Sequence, residues 1–312
     1  VDASHKLPDT NDGYTFISAW KDMDGDAQPE ILVMNDNSFA GRSNRLWQFN
    51  GEAFEDVSVA YGLDQGMESM GLGITDGNGD GLPDLLISDW RELVYMVSDV
   101  TAGVYISSAV SQGFVPLDQS TQWVAWAVEY ADLDNSGVEE ALVTYGHWEL
   151  FEERPDMSLP TEQADALFVR TDSSVSDQGV QWGFGDQTSG RGMTVADLNR
   201  DGHPDVVRRP VFDAATIDSP RCTGMAWTVI EPRQSTGNHR AIGARVQVDS
   251  GDQKWVRWVR AGGTGLAGGG PPEVHIGLGS VERIDRLRIQ WPDGVETVYA
   301  DLPTHHRLVI TR

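Results

Sequence analysis

An all-β architecture, an array of four-stranded repeats followed by a further β-rich domain, is predicted by three observations in these 312 residues. With 34 glycines and 39% hydrophobic residues, the chain is too polar and turn-rich for a bundle of long helices. One acidic phrase recurs four times along the chain. Each copy runs directly into a short apolar stretch of strand type.

The four copies are Asp22-x-Asp24-x-Asp26-Ala-Gln28-Pro-Glu30, Asp76-x-Asn78-x-Asp80-Gly-Leu82-Pro-Asp84, Asp132-x-Asp134-x-Ser136-Gly-Val138-Glu-Glu140 and Asp197-x-Asn199-x-Asp201-Gly-His203-Pro-Asp205, starting 54, 56 and 65 residues apart. Oxygen-bearing side chains at positions 1, 3, 5 and 9, with turn residues between them, suit a loop that wraps a hard cation. The backbone carbonyl of position 7 (Gln28, Leu82, Val138 or His203) completes the set. Ca²⁺ takes six to eight such oxygens at about 2.3–2.6 Å. Up to four Ca²⁺ are expected. Mg²⁺, which demands octahedral geometry, is the less favoured ion, and Zn²⁺ would prefer His or Cys. Four carboxylates favour tight binding in the first loop, although Ala27 stands where the others have Gly. Ser136 and Glu140 predict lower affinity for the third. Affinities of extracellular type, about 10⁻⁴–10⁻³ M, are expected. EF-hands are excluded: position twelve would have to be a bidentate Glu, and it is Val33, Ile87, Val143 and Arg208.

The flanks repeat as well. Strands are predicted before the loops at Tyr14–Trp20, Met70–Thr75, Trp123–Tyr130 and Gly192–Ala196, and after them at Glu30–Met34, Asp84–Ser88, Glu140–Thr144 and Asp205–Arg208. Two more follow in the first unit, Arg45–Phe49 and Ala53–Val57, joined at the turn signal Asn50-Gly51. A unit of about 55 residues and four strands has the size of a β-propeller blade. A cation there is expected to be structural, neutralising carboxylates that repel one another and pinning the loop between two strands.

These repeats resemble the FG-GAP or VCBS class of calcium-binding propeller repeats. From about residue 224 the chain resembles the ASPIC/UnbV domain, in Asn238-His-Arg-Ala-Ile-Gly-Ala-Arg-Val246, His275-Ile-Gly-Leu-Gly279 and Val281-Glu-Arg-Ile-Asp-Arg-Leu-Arg-Ile-Gln-Trp-Pro-Asp-Gly294. Together they resemble the CRTAC, or cartilage-acidic-protein-like, family. The resemblance implies a propeller-like array over residues 1–223, a sandwich-like β domain over 224–312, and an extracellular or cell-surface location. Two departures stand out. Only four acidic loops are visible where related propellers have about seven blades, and the glycine run of residues 261–270 replaces a Ser/Gln-containing segment.

Charge bounds the function. Residues 1–231 carry 12 Lys and Arg against 40 Asp and Glu, whereas residues 232–312 carry 11 against 8. So acidic an array argues against nucleic acid, whose binding depends on basic residues. No apolar run approaches the length of a membrane span. The start at Val1 predicts a processed or trimmed N-terminus, and the single cysteine, Cys222, leaves no internal disulfide. No nucleophile elbow, zinc-protease helix or Ser/His/Asp set is visible, so no enzyme is expected. The glycine run of 261–270 lacks the Gly-Lys-Ser/Thr of a phosphate loop, His305-His306 point apart on a strand, and the eleven tryptophans are expected to pack between blades. The expected function is a secreted calcium-binding structural or adhesive protein that self-associates into an oligomer or filament, because an incomplete array leaves apolar end faces and its acidic and basic parts are complementary. A monomeric adhesin or receptor module holding a glycan or protein is the alternative, and a polysaccharide-active or phosphoester-active enzyme is the least favoured reading.

Overall fold

The structure is a computed structural model that describes residues 6–7, 13–36, 42–90, 92–101, 103–116, 123–147, 162–171, 174–219, 223–263 and 268–312. Cys222 and the centre of the glycine run, residues 264–267, lie outside the described residues.

The fold is all-β. The first repeat is the meander β1 (Tyr14–Lys21), β2 (Glu30–Asp36), β3 (Arg45–Phe49) and β4 (Phe54–Asp56). Its last hairpin turns at Asn50, whose amide N–H donates to the Ala53 carbonyl, and Gly51 supplies the positive φ that the turn requires. A one-turn helix, α1 (Ser58–Tyr61), follows. The second repeat is β5 (Leu72–Thr75), β6 (Asp84–Ile87), β7 (Val94–Asp99) and β8 (Val104–Ser107), then α2 (Ala109–Gln112). The third contains β9 (Ala125–Ala131), β10 (Glu140–Tyr145), a short β11 (Gln163–Ala164), β12 (Ala166–Arg170) and β13 (Val175–Asp177), then α3 (Gly179–Trp182). Its sheet order is β13-β12-β10-β9, and β11 pairs with β14 (Gln187–Thr188). The fourth has three strands among the described residues: β15 (Gly192–Ala196), β16 (Asp205–Arg209) and β17 (Thr216–Asp218).

Apolar side chains between successive blades hold the array together. Ile17, Leu32, Met34 and Leu46 of the first blade meet Leu72, Leu85 and Met96 of the second. Tyr95 and Phe114 then meet Val143 and Phe168, and Leu142 and Leu167 meet Met193 and Val206. The inner strands approach so closely that a Cβ on Gly71 would lie 1.9 Å from the Trp126 carbonyl oxygen, which is why that position is glycine.

The short helices were not legible beforehand, since four residues are too few to show a period. Their signal lies in the pairs Gly62-Leu63, Gly113-Phe114 and Gly183-Phe184. In each pair a positive-φ glycine ends the helix and the apolar residue is buried. Gly62 closes on Tyr105 of the next blade's outer strand and Gly113 on Val175, while nothing lies within 4 Å of a Cβ built on Gly183. The fourth blade has no fourth strand at that place among the described residues.

The chain then enters a sandwich. One sheet has the order β21-β18-β24, from β18 (Ala226–Arg233), β21 (Val274–Gly279) and β24 (His306–Thr311), with β18 and β24 parallel. The other has the order β20-β19-β22-β23, from β19 (Arg245–Ser250), β20 (Gln253–Trp258), β22 (Arg283–Gln290) and β23 (Glu296–Pro303). Their inner faces share a core that includes Ile230, Val246, Val248, Ile276, Ile289 and Trp291. His305 sits in a bend at positive φ beside the Trp227 ring, and His306 opens β24.

Candidate metal centre

All four acidic loops join the first strand of a blade to the second, and all four share one hydrogen-bond skeleton. The position-9 carboxylate accepts the backbone N–H of position 2: Met23 to Glu30 at 2.8 Å, Gly77 to Asp84 at 2.8 Å, Leu133 to Glu140 at 2.9 Å and Leu198 to Asp205 at 2.9 Å. The position-1 carboxylate accepts from position 6: Ala27 to Asp22, Gly81 to Asp76, Gly137 to Asp132 and Gly202 to Asp197, at 2.7–3.1 Å. Position 3 accepts from position 5 through Asp24, Asn78, Asp134 and Asn199. Position 5 accepts from position 7, where Gln28, Leu82, Val138 and His203 donate to Asp26, Asp80, Ser136 and Asp201. The pattern points side-chain oxygens inward at alternate positions, as a loop for a hard cation requires.

The skeleton demands positive φ at positions 4 and 6. Position 6 is Gly81, Gly137 and Gly202 in three loops, but in the first it is Ala27 at φ 69°. A side chain there costs about 1–2 kcal/mol relative to an ordinary conformation. Ala27→Gly should therefore stabilise the protein by about 1 kcal/mol, read as a raised urea midpoint.

The loops differ in how far their carboxylates converge. Asp22, Asp24 and Asp26 place ligand oxygens within 4.8 Å of one another, and so do Asp132, Asp134 and Glu140. In the second and fourth loops the Asn78 and Asn199 amides donate to Asp80 and Asp201, at 2.8 and 2.9 Å. Asp80 is also held by the Ser98 hydroxyl at 2.6 Å. The third loop, expected from Ser136 and Glu140 to be the weaker one, is the most enclosed: Asp132 and Glu140 are buried, and Asp132 Oδ1 has no hydrogen-bond partner among the described residues. An orphaned, buried carboxylate oxygen facing two more carboxyl groups fits a divalent cation.

The electrostatics agree. Burial, reinforced by Asp132 and Asp134, pushes the Glu140 carboxyl up to about 9. Burial likewise pushes Asp132 and Glu30 up to about 7 and Asp84 to about 6, and raises Asp22 and Asp76. Without a counter-charge these carboxyls keep their protons to higher pH than usual, and a bound cation is the natural replacement.

The C-terminal sandwich packs directly on the second, third and fourth loops. Lys254 Nζ donates to the Gly79 carbonyl at 2.9 Å and Trp255 Nε1 to that of Gly137 at 3.0 Å. His275, which burial pushes down to about 4 and so keeps neutral at pH 7, donates from Nε2 to the Gly202 carbonyl at 3.0 Å. Arg257 pairs with Glu139 at 2.8 Å, and Arg307 lies 3.6 Å from Asp197. The phrase His275-Ile-Gly-Leu-Gly279 lies on the third loop: Gly279 N–H donates to Asn135 O at 2.8 Å, and a Cβ on Gly277 would sit 2.0 Å from Asp132 Oδ2. The charge split between the two parts is visible in the sequence, but these contacts were not expected from it. The signal was available in the glycines of that phrase and in the basic residues flanking Trp255.

Four acidic loops on a blade array, followed by a β sandwich, define a β-rich repeat protein. Residues 22–87 match the FG-GAP-like repeat family, and residues 234–312 match the family described as ASPIC and UnbV. The chain thus has the architecture of CRTAC-like proteins, FG-GAP repeats followed by a C-terminal ASPIC/UnbV domain. No curated protein matches it significantly. FG-GAP repeats are typical of extracellular and cell-surface proteins, and among the described residues no helix is long and apolar enough to cross a membrane.

Proposed function

We propose that the protein is a secreted calcium-binding structural or adhesive protein in which Ca²⁺ fastens the blade loops, the second to fourth of them beneath the C-terminal sandwich, and in which copies associate end to end. The observation that carries the calcium reading is the common hydrogen-bond skeleton, with the unpartnered Asp132 oxygen at the centre of its most enclosed member. The side chains at positions 1, 3, 5 and 9 and the carbonyl at position 7 would hold the ion. Bound Ca²⁺ supplies positive charge among carboxylates that otherwise repel one another.

Association is supported by the two ends of the array. Tyr14, Phe16 and Trp20 alternate along β1 with their side chains exposed, while Ile17 and Ala19 point into the core. At the other end β17 has a neighbour on one side only among the described residues, and Ile217 is exposed. Lys254, Arg257 and Arg307 of the sandwich are already engaged on the loops of the same chain, so the apolar ends, more than charge, favour contact between copies. A head-to-tail contact of unlike ends propagates unless it closes. Light scattering over a concentration series in millimolar Ca²⁺ should show growing oligomers, lost in Phe16→Ser/Ile217→Asp. A monodisperse wild-type monomer at every concentration would exclude association.

A further inference from the structure

The two sheets of the sandwich end in the edge strands β20, β21, β23 and β24, and the first three of these are closed to pairing. β20 and β21 are turned to the blade array: Trp255 of β20 donates to the Gly137 carbonyl, and Gly279, which ends β21, donates to that of Asn135. β23 is broken, since Asp301 sits at φ 55° and the terminal Pro303 has no N–H to offer. β24 lies at the opposite edge of its sheet from β21, and among the described residues its only neighbour is β18.

Edge strands are commonly kept from pairing by a free charge, a proline or a bulge. β24, His306-Arg-Leu-Val-Ile-Thr311, contains no proline, and its register with β18 runs without a shift. Its one formal charge, on Arg307, is turned to Asp197 at 3.6 Å and to Glu273 of the same chain. Leu308 and Ile310 pack on the sandwich core yet are only partly buried, and Val309, on the other face, is 47% exposed. A run rich in β-branched residues thus presents an unpaired row of backbone groups with nothing to deter a partner.

We propose that β24 pairs antiparallel with β24 of a second copy, about a twofold axis through Val309. An axis perpendicular to the sheet keeps the core-facing sides of both copies together, so only residues of the same face come opposite one another. Centred on Val309, the register sets Val309 against Val309, Leu308 against Ile310 and Arg307 against Thr311. Apolar side chains then meet on both faces, and no like charges are opposed. Centred on Leu308, the same strand would set Arg307 against Val309 and His306 against Ile310. The match is written into the edge itself, which favours a second copy over an unrelated strand. The two three-stranded sheets would continue into one. This contact goes beyond the end-to-end association, because it is symmetric and uses neither end of the blade array.

Disulfide trapping in a Cys222→Ser background tests the register. Val309→Cys sets two thiols across the axis at the spacing of directly opposed strand residues, within reach of a disulfide, and should form a covalent dimer under air. Val298→Cys, exposed on β23, should not. Sedimentation tests the dimer itself. In Phe16→Ser/Ile217→Asp, which removes the end contacts, a concentration-dependent dimer should persist, and adding the exposed change Val309→Lys should weaken it at least about tenfold by opposing two like charges on the axis. A monomer at every concentration in Phe16→Ser/Ile217→Asp would overturn the proposal, whatever the wild type does through its ends. Crosslinking of Val309→Cys no faster than that of Val298→Cys, or a dimer undiminished by Val309→Lys, would overturn it as well.

Discussion

Stripped of divalent cations, the protein is expected to lose stability as the pH rises from about 5 to 9, and millimolar Ca²⁺ is expected to offset or reverse that slope. Glu140, pushed up to about 9, and Asp132 and Glu30, pushed up to about 7, bind protons in the folded state well above the range in which an unfolded chain releases them. Their contribution is complete below about pH 4 and drains away as the pH climbs through each folded value. Each unit of displacement is worth about 1.4 kcal/mol, so the loss across this range amounts to several kcal/mol. Calcium binds the ionised carboxylates and releases their protons, which gives the opposite pH dependence. Asp165, which burial pushes up to about 7 outside the loops, contributes equally in both conditions, so the difference between the two slopes isolates the loops. Urea midpoints at pH 5, 7 and 9, in chelator and in Ca²⁺, provide the measurement. Parallel slopes would mean that these carboxylates do not hold the ion.

Replacing Arg208 by Met is expected to cost about 3–5 kcal/mol at pH 8 and less at pH 5. The Arg208 side chain is almost wholly buried at the junction of the third and fourth blades. It donates to Asp165 at 2.9 Å, to Asp186 at 2.9 Å, to Asp218 at 2.8 and 3.1 Å, and to the Phe184 carbonyl at 2.9 Å. Asp165 is itself buried, so removing the guanidinium strands a carboxylate that can escape only by protonation. Its folded value, already raised, would rise further, and the penalty would grow with pH. Arg208→Met/Asp165→Asn should recover much of the loss, because no charge is then left unpaired. Equal midpoints for Arg208→Met and wild type would remove Arg208 from the account of how the blades are joined.

Much of this arrangement was legible in the sequence because it repeats. The spacing of Asp22, Asp76, Asp132 and Asp197 gave the blades, and the apolar runs after each loop gave β2, β6, β10 and β16 to within two residues. Arg45–Phe49 is strand β3 as expected. What the repeat could not convey is whatever makes one copy unlike another. Arg208 shares position twelve with Val33, Ile87 and Val143, and alone of these carries a cation across a blade junction. Lys21 follows the core phase of β1 but is not apolar. The third loop gains its enclosure from β21, more than 130 residues away, and no local pattern reports a contact of that range. The turning of Asn78 toward Asp80 likewise depends on three-dimensional surroundings, here Ser98. Trp20 departs from the expectation that the tryptophans pack between blades, because no blade lies against the outer face of β1 among the described residues.

If the acidic loops hold calcium, the ion is part of the fold. Thermal unfolding of wild type, Asp76→Ala and Asp197→Ala, in millimolar Ca²⁺ and in chelator, tests it most directly. At affinities of about 10⁻⁴ M, each filled site adds on the order of 1 kcal/mol. Both variants should therefore melt about 2 °C below wild type in Ca²⁺ and nearly with it in chelator. Equal destabilisation in the two conditions would contradict the account, because the carboxylates would then serve only their hydrogen bonds within the loops.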